Sequence, residues 1–502
     1  MSADRVFRAA LLALAVCGPV AAQSYSSCPN FGSQGLHEKI DCIEALFSAS
    51  PAHLTFSSVP PGNGFALGGV LEKATHYVSP ATRLPDIDIY DPNKQPDTGY
   101  LSLTDALLAG VVSTNGSWYT TGSFSWLPPL HYRTVTENGV TFQQLGPLKT
   151  HQVFGLQFYG THRSIQNLSF YGEGGTAPTT EYVFKQTETY AGTTARLPLT
   201  PWLAAVGQLE YRQLSLPVDN SFLSVRNNFS ETTAPGLNAQ PGFMHYVLAA
   251  ETDATWRSEP ASPKETLIPD PNARPIGLLK HRLIFRVQNR AGYEWYQDLN
   301  TGHYSFRQFA FTGDESVHLG SVFLKFLDDK SHPGAFGFLR LVCGGTGRAA
   351  KGKATSAIKD SFKKDDVCDF GQLDVKSRFV VSQTGAGNVV PFYYQPTLGG
   401  SDIESRVTLR GYADYRFRGN DLALVQIEYS KPIPAFDPVG IYGFYDGGSV
   451  TNPGQSLGMA RFRQDGGIGT SLRLQGKVVF QAYAAMGAGH GVHVGYNLEK
   501  LF

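Results

Sequence analysis

The sequence predicts an all-β protein, a transmembrane antiparallel β-barrel entered through a short N-terminal segment that carries a helix-like stretch and two cysteines. Three observations predict it: a secretory leader, a composition poor in charge and rich in glycine and aromatic residues, and a final strand-like run that alternates apolar with polar residues. Charged residues are 17% of the 502, beside 54 glycines and 12% aromatics, where soluble chains average about 25% charged. No apolar run of helix length follows the leader, so a chain of this kind enters a membrane as strands.

The leader comes first. Arg5 and Arg8 precede the apolar run Ala9 to Val16 and the small-residue site Val20-Ala21-Ala22, which together read as a cleavable signal over residues 1–22. The run is shorter than the roughly 20 residues a membrane anchor needs. Cys17 after Leu14-Ala15-Val16 weakly resembles a lipoprotein box, but the branched Val16 stands where a small residue is usual. Residues 23–61 follow as a short N-terminal segment, expected on the periplasmic side, in which Leu36, Ile40, Ile43 and Leu46 fall near one face of a helix-like stretch.

Net charge is formally zero, which gives no footing for nucleic acid or a strongly acidic ligand. Past the leader, Cys28 stands with Cys42 and Cys343 with Cys368. Two such locally spaced pairs are expected to form two disulfides in an oxidising compartment. Free thiols or a metal site fit less well, because the pairs lie far apart and few histidines are near. No metal and no cofactor is expected.

Residues 62–502 form the barrel of this reading. Runs such as Gly64 to Leu71, Trp118 to Trp126, Val153 to Tyr159, Leu203 to Tyr211, Phe243 to Ala250, Leu279 to Val287 and Ala335 to Val342 are parted by Gly, Pro, Asn and Asp clusters. That length leaves room for about 16 tilted strands with long loops on one side. In the last run Val492, Val494, Tyr496, Leu498 and Phe502 are apolar, while Gly491, His493, Gly495, Asn497 and Glu499 are small or polar. A soluble sandwich gives the same alternation, so the leader and the terminal Phe502 tip the reading. Tyr496, Leu498 and Phe502 are taken as the C-terminal barrel signal. The segment Gly344 to Lys376 breaks the rhythm. It is polar, bracketed by Cys343 and Cys368, and read as a solvated surface loop in preference to one that binds lipopolysaccharide phosphates.

The chemistry gathers between Phe392 and Val450. In Leu422 to Tyr429 the odd positions suit lipid, which sends Gln426 and Glu428 inward; in Ile441 to Gly448 the same rule turns Tyr442, Phe444, Asp446 and Gly448 inward. Two adjacent strands then carry two carboxylates on one inner wall, where unpaired charge is costly. They need a cation.

Along this stretch the chain carries Thr397-Leu398-Gly399-Gly400, then Thr408-Leu409-Arg410-Gly411-Tyr412, then Gly443-Phe444-Tyr445-Asp446-Gly447-Gly448. In that order these elements resemble the bacterial surface antigen superfamily, the BamA- and TamA-like barrels together with the two-partner secretion transporters. Asn167 to Gly174, Glu181 to Tyr211 and Gly466 to Phe502 extend the likeness. The resemblance implies a 16-stranded outer-membrane barrel in which an extracellular loop folds back into the lumen. Carried over, Arg410 bonds Asp446 first, with Glu428 as an optional second carboxylate. Gly411 permits a tight turn, Tyr412 and Phe444 pack alongside, and Gly447 and Gly448 let the loop approach the wall.

Members of that superfamily mostly carry periplasmic modules of about 75 residues each that receive clients, and Gln23 to Pro61 is too short for one. The chain is therefore expected to be a barrel-only member, with a separate periplasmic subunit as a candidate partner. Outer-membrane lipids and client proteins complete the expected partners. No patatin-type lipase module is expected, and the chain is read as a non-enzyme. The leading function is assembly or translocation through a barrel that opens sideways at a seam between Gly64 to Leu71 and Gly491 to Leu498. The alternatives are a passive pore for small solutes and a structural protein of the cell surface.

Overall fold

The computed structural model describes residues 52–57, 59, 63–80, 98–137, 140–145, 154–200, 202–219, 221–257, 284–319, 321–323, 367–433, 439–474, 477–487 and 491–498. The leader, the helix-like stretch, Cys28, Cys42, Cys343, the run Ala335 to Val342 and Phe502 lie outside the described residues, as do the side chains of Cys368 and Leu498.

The first half of the chain gives β1 (Ala52–Ser57), β2 (Ala66–Pro80), β3 (Thr98–Ser113), β4 (Trp118–Glu137), β5 (Val140–Leu145), β6 (Gly155–Phe170), β7 (Tyr182–Thr200), β8 (Leu203–Ser215) and, after a one-turn helix at Val225–Asn228, β9 (Gly242–Arg257). The second half gives β10 (Ile284–Asp298), β11 (Phe306–His318), β12 (Ser321–Phe323), β13 (Val367–Asp369), β14 (Gln372–Thr384), β15 (Thr397–Leu398), β16 (Phe417–Arg418), β17 (Leu422–Pro432), β18 (Val439–Val450), β19 (Arg463–Leu474), β20 (Lys477–Gly487) and β21 (Gly491–Leu498).

Antiparallel ladders run unbroken from β1 to β21, each long strand pairing with the next in sequence, while β5 extends the far half of β4 and the β12–β13 and β15–β16 hairpins stand apart. Among the described residues this makes a sheet of sixteen successive strands plus β5. The register gives the sheet two ends. Leu422 pairs with Val450, Gly448 with Arg463 and Gly487 with Gly491, so the segment between β14 and β17 leaves and re-enters at one end, here the plug end. β1 starts and β21 finishes at the other, the terminal end.

Two expectations change against this frame. The sheet begins at Ala52, ahead of residue 62, and Ala66 to Leu71 is paired on both sides, to β1 and to β3. Among the described residues the strand at the edge opposite β21 is therefore β1, not Gly64 to Leu71. The polar segment Gly344 to Lys376 ends inside β14, since Gln372 to Lys376 are strand residues paired with β11 and β17. The excursion from β11 to β14 that contains it emerges at the terminal end, opposite the plug.

Period-two alternation sorts the two faces. Outward on successive strands stand Leu108, Phe124, Phe158, Leu209, Leu248, Tyr293, Phe309, Phe379, Ile427, Tyr445, Ile468 and Val494, all exposed, Leu248 at 70% and Val494 at 76%. Inward on the same sheet stand Arg163, Glu188, Glu210, His245, Gln308, Gln426 and Asp446, all buried. The sheet thus wears its apolar side out and its charges in, the reverse of a water-soluble fold and the arrangement of a membrane barrel.

Candidate functional site: a plug bolted to the inner wall

The segment between β14 and β17 folds on itself before it meets the wall. β15 pairs with β16, closing a loop whose two arms are joined by Gly400 N to Leu409 O (2.8 Å) and Tyr415 N to Gly399 O (3.1 Å). Gly399, with φ of 110°, has no room for a side chain: a Cβ would stand 2.5 Å from the Ala413 carbonyl. At the tip, Asp402 Oδ1 accepts the backbone N–H groups of Glu404 and Arg406, both at 2.9 Å, a local turn that short acidic side chains favour.

Four ion pairs, gathered at three places, bolt this plug to strands far apart in sequence. Arg410 Nε donates to Asp446 Oδ2 and Nη2 to Asp446 Oδ1, both at 2.8 Å, while Nη1 donates to Glu428 at 2.6 Å. Gln426 Nε2 spans Asp446 (3.1 Å) and the Thr408 carbonyl (2.7 Å), tying the same carboxylate to the loop backbone. The Phe444 ring lies 3.4 Å beneath the guanidinium carbon. Asp446 is fully buried and Arg410 is 4% exposed. Burial alone would lower the Arg410 pKa; its bonds to Asp446 and Glu428 outweigh this and hold it above its ordinary value.

The second bolt is Asp402 to Arg378 on β14, at 2.6 Å. The third is Glu404 to Arg163 on β6 at 3.2 Å, where Arg163 also holds Glu188 on β7. The Arg163 guanidinium draws the Glu404 carboxyl down to about 2. Around the base of the plug, Phe392 packs edge-on against Phe170 and Phe184.

The structure thus brings Arg410, Glu428, Phe444 and Asp446 together. Tyr412 lies one step aside, its ring 5.3 Å from Phe417 and its hydroxyl donating to the Gln464 carbonyl at 3.3 Å. Gly411 is required for space, not for a left-handed turn: a Cβ there would stand 2.7 Å from Asp465 Cβ and 2.8 Å from Gly487 N. Gly448 admits the loop, since its Cβ would meet Leu398 at 3.1 Å, whereas Gly447 faces Phe462 instead. Tyr496 points outward from β21, 59% exposed.

Sequence reasoning missed Asp402, Glu404, Arg163, Arg378 and Asp465, which pairs directly opposite Asp446 in the β18–β19 ladder. It also passed over Gly454-Gln455-Ser456-Leu457-Gly458, which has the Gly-x-Ser-x-Gly spacing of a nucleophile elbow. Ser456 is exposed in the connection between antiparallel β18 and β19, at the start of a one-turn 3-10 helix (Leu457–Met459), and among the described residues no hydrogen bond joins its hydroxyl to a His or a carboxylate.

On the terminal-end side of the plug lies a cavity of about 1320 Å³. Arg196, Asp253, Arg286, Arg290, Asp314, Lys376, Glu404 and Glu428 contribute both signs of charge to its wall.

No family model matches the sequence, and no curated protein matches it. Among solved structures, the chain is similar to BamA from Haemophilus ducreyi lacking POTRA domains 1–3, at 12% identity and a TM-score of 0.42, covering 92% of this chain and 77% of that one. It is similar to CdiB from Acinetobacter baumannii at 10% identity and a TM-score of 0.42, covering 89% of this chain and 59% of that one. OccK10 (OpdN) from Pseudomonas aeruginosa aligns at 9% identity and a TM-score of 0.29, over 89% and 96%. The chain therefore spans about three fifths of the CdiB chain and more of the other two.

Proposed function

We propose that this protein is a barrel of the bacterial outer membrane that assembles or translocates protein or lipid clients, with the segment between β14 and β17 as a resident plug locked by Arg410. The membrane setting is supported by the outward apolar residues on successive strands, which in water would form a patch well beyond the few hundred Å² a monomeric soluble protein tolerates. The transport reading is carried by one observation: a buried, bidentate Arg410–Asp446 pair fixes a folded loop across the lumen. An open solute pore would gain nothing from a desolvated ion pair that holds an obstruction in place. Lipids surround the wall, clients enter from the charged chamber, and a separate periplasmic subunit delivers them. Sideways opening, where it occurs, belongs to β1 and β21.

Depleting the protein and taking an inventory of outer-membrane proteins and lipids tests this reading. One class of component falls and is restored by the parent chain but not by Arg410→Ala; an unchanged inventory refutes the proposal. The chamber itself favours a second reading, a passive pore. Bilayer recordings separate the two, since large steady channels belong to a pore and small irregular ones to a plugged barrel.

A further inference from the structure

At the plug-end mouth, two guanidinium groups outside the Arg410 cluster rest on one ring. The Arg416 and Arg463 guanidinium carbons lie 4.9 and 5.0 Å from the Phe417 ring centre. Both also clasp one short stretch of the loop between β6 and β7, Arg416 Nη2 donating to the Ala177 carbonyl (2.9 Å) and Arg463 Nη2 to the Gly175 carbonyl (2.8 Å). Arg461, exposed on the adjoining turn, stands close enough to press on Arg463 electrostatically.

Three cations converge there. Among the described residues neither Arg416 nor Arg463 makes an ion pair. The acids of the neighbouring loop are engaged elsewhere: Glu173 accepts from Gln395 at 2.7 Å and Glu181 from Ser169 at 2.6 Å. Arg416 is 7% exposed, yet its Nη1 and the Nε of Arg463 are buried without a hydrogen-bond partner. Burial, with Arg463 beside it, lowers the pKa of Arg416 from its ordinary value. A guanidinium stays charged even so, and a buried one with unused N–H groups and a like charge beside it lacks an anion.

We propose that Arg416 and Arg463, assisted by Arg461, form a binding site for the phosphate group of a ligand at the mouth of the lumen. Guanidinium forks match the oxygens of a phosphate, and a dianion answers more than one cation. The same chemistry is offered by free inorganic phosphate and by the phosphorylated headgroup of an outer-leaflet lipid.

The full-length protein, purified in a zwitterionic detergent, is titrated with inorganic phosphate at constant ionic strength and followed by calorimetry. In a second arm it is reconstituted in phosphatidylcholine vesicles with and without lipid A and followed by its thermal midpoint. Saturable binding of inorganic phosphate identifies the free anion, and a midpoint raised by lipid A with no phosphate binding identifies the headgroup. Either response weakens at least about tenfold in Arg463→Gln and in Arg416→Gln, the loss expected for a charge-assisted bond. Should a Gln variant fail to fold, Arg463→Lys keeps the charge, loses the fork, and binds measurably less well than the parent. No response in either arm, or a response undiminished in the variants, overturns the proposal.

Discussion

Arg410 sits where several demands meet. Its carboxylate partner Asp446 is fully buried, so Arg410→Ala leaves a desolvated charge with no cation on it, answered by Gln426 and the backbone N–H of residue 410 alone among the described bonds. Breaking a buried pair from one side costs about 3–5 kcal/mol, and the expected result is a lower unfolding midpoint in detergent together with faster proteolysis of residues 399–416. Glu428→Gln costs less, because Asp446 keeps both of its bonds to the Arg410 guanidinium. Gly411→Ala tests shape alone. Its Cβ would strike Gly487 backbone at 2.8 Å, an overpacking worth about 1–3 kcal/mol, and a variant as stable as the parent would show that the plug can shift away from β20. Asp446 and Glu428 were legible in the sequence because strand alternation is local: once Ile427 and Tyr445 face lipid, the carboxylates must face in. That Arg410 answers them came from a resemblance, since no local rule selects it over Arg406 or Arg416.

At the scale of the element, the plug is a folded hairpin held on three sides, and its bolts differ in how they respond to acid. Glu404 is drawn from its ordinary 4.5 to about 2 by Arg163. A depressed carboxylate stabilises the docked plug fully above its unfolded value, and that stabilisation is lost as pH falls from about 4.5 through about 2. Protection of the plug backbone from hydrogen exchange is expected to fall over that window in the parent chain and to vary less in Glu404→Gln, which has already lost the charge. Equal pH profiles would remove Glu404 from the lock. This bolt was not legible in the sequence: Arg163 and Glu404 are 241 residues apart, and an inward arginine announces that it needs a carboxylate without saying which. The first strand was missed for a different reason. Ala52 to Ser57 is six residues with prolines close on either side, a pattern that reads as linker until β2 is seen to need a partner for Ala66 to Leu71.

For the whole molecule, the governing fact is that one sheet presents lipid-like residues outward and charges inward on strand after strand. If the outer face meets hydrocarbon, its tolerance for charge must be opposite to that of the inner face, and β9 offers both within four residues, His245 to Leu248. Leu248 is 70% exposed on the outside, while His245 on the inner face is buried between Glu210 and Glu294, with its ring nitrogens 3.4 and 3.1 Å from their oxygens. Leu248→Arg places a guanidinium in the membrane interior at a cost of about 2–4 kcal/mol near the midplane, whereas on a water-facing surface the same change is worth no more than about 0.5 kcal/mol. Reversible folding into phosphatidylcholine vesicles, followed by tryptophan fluorescence against denaturant, is the measurement. A penalty near the larger figure for Leu248→Arg places the outward face of β9 in the bilayer. A penalty near the smaller one would mean that this face is covered by water or protein, and the membrane reading of the sheet would fall with it.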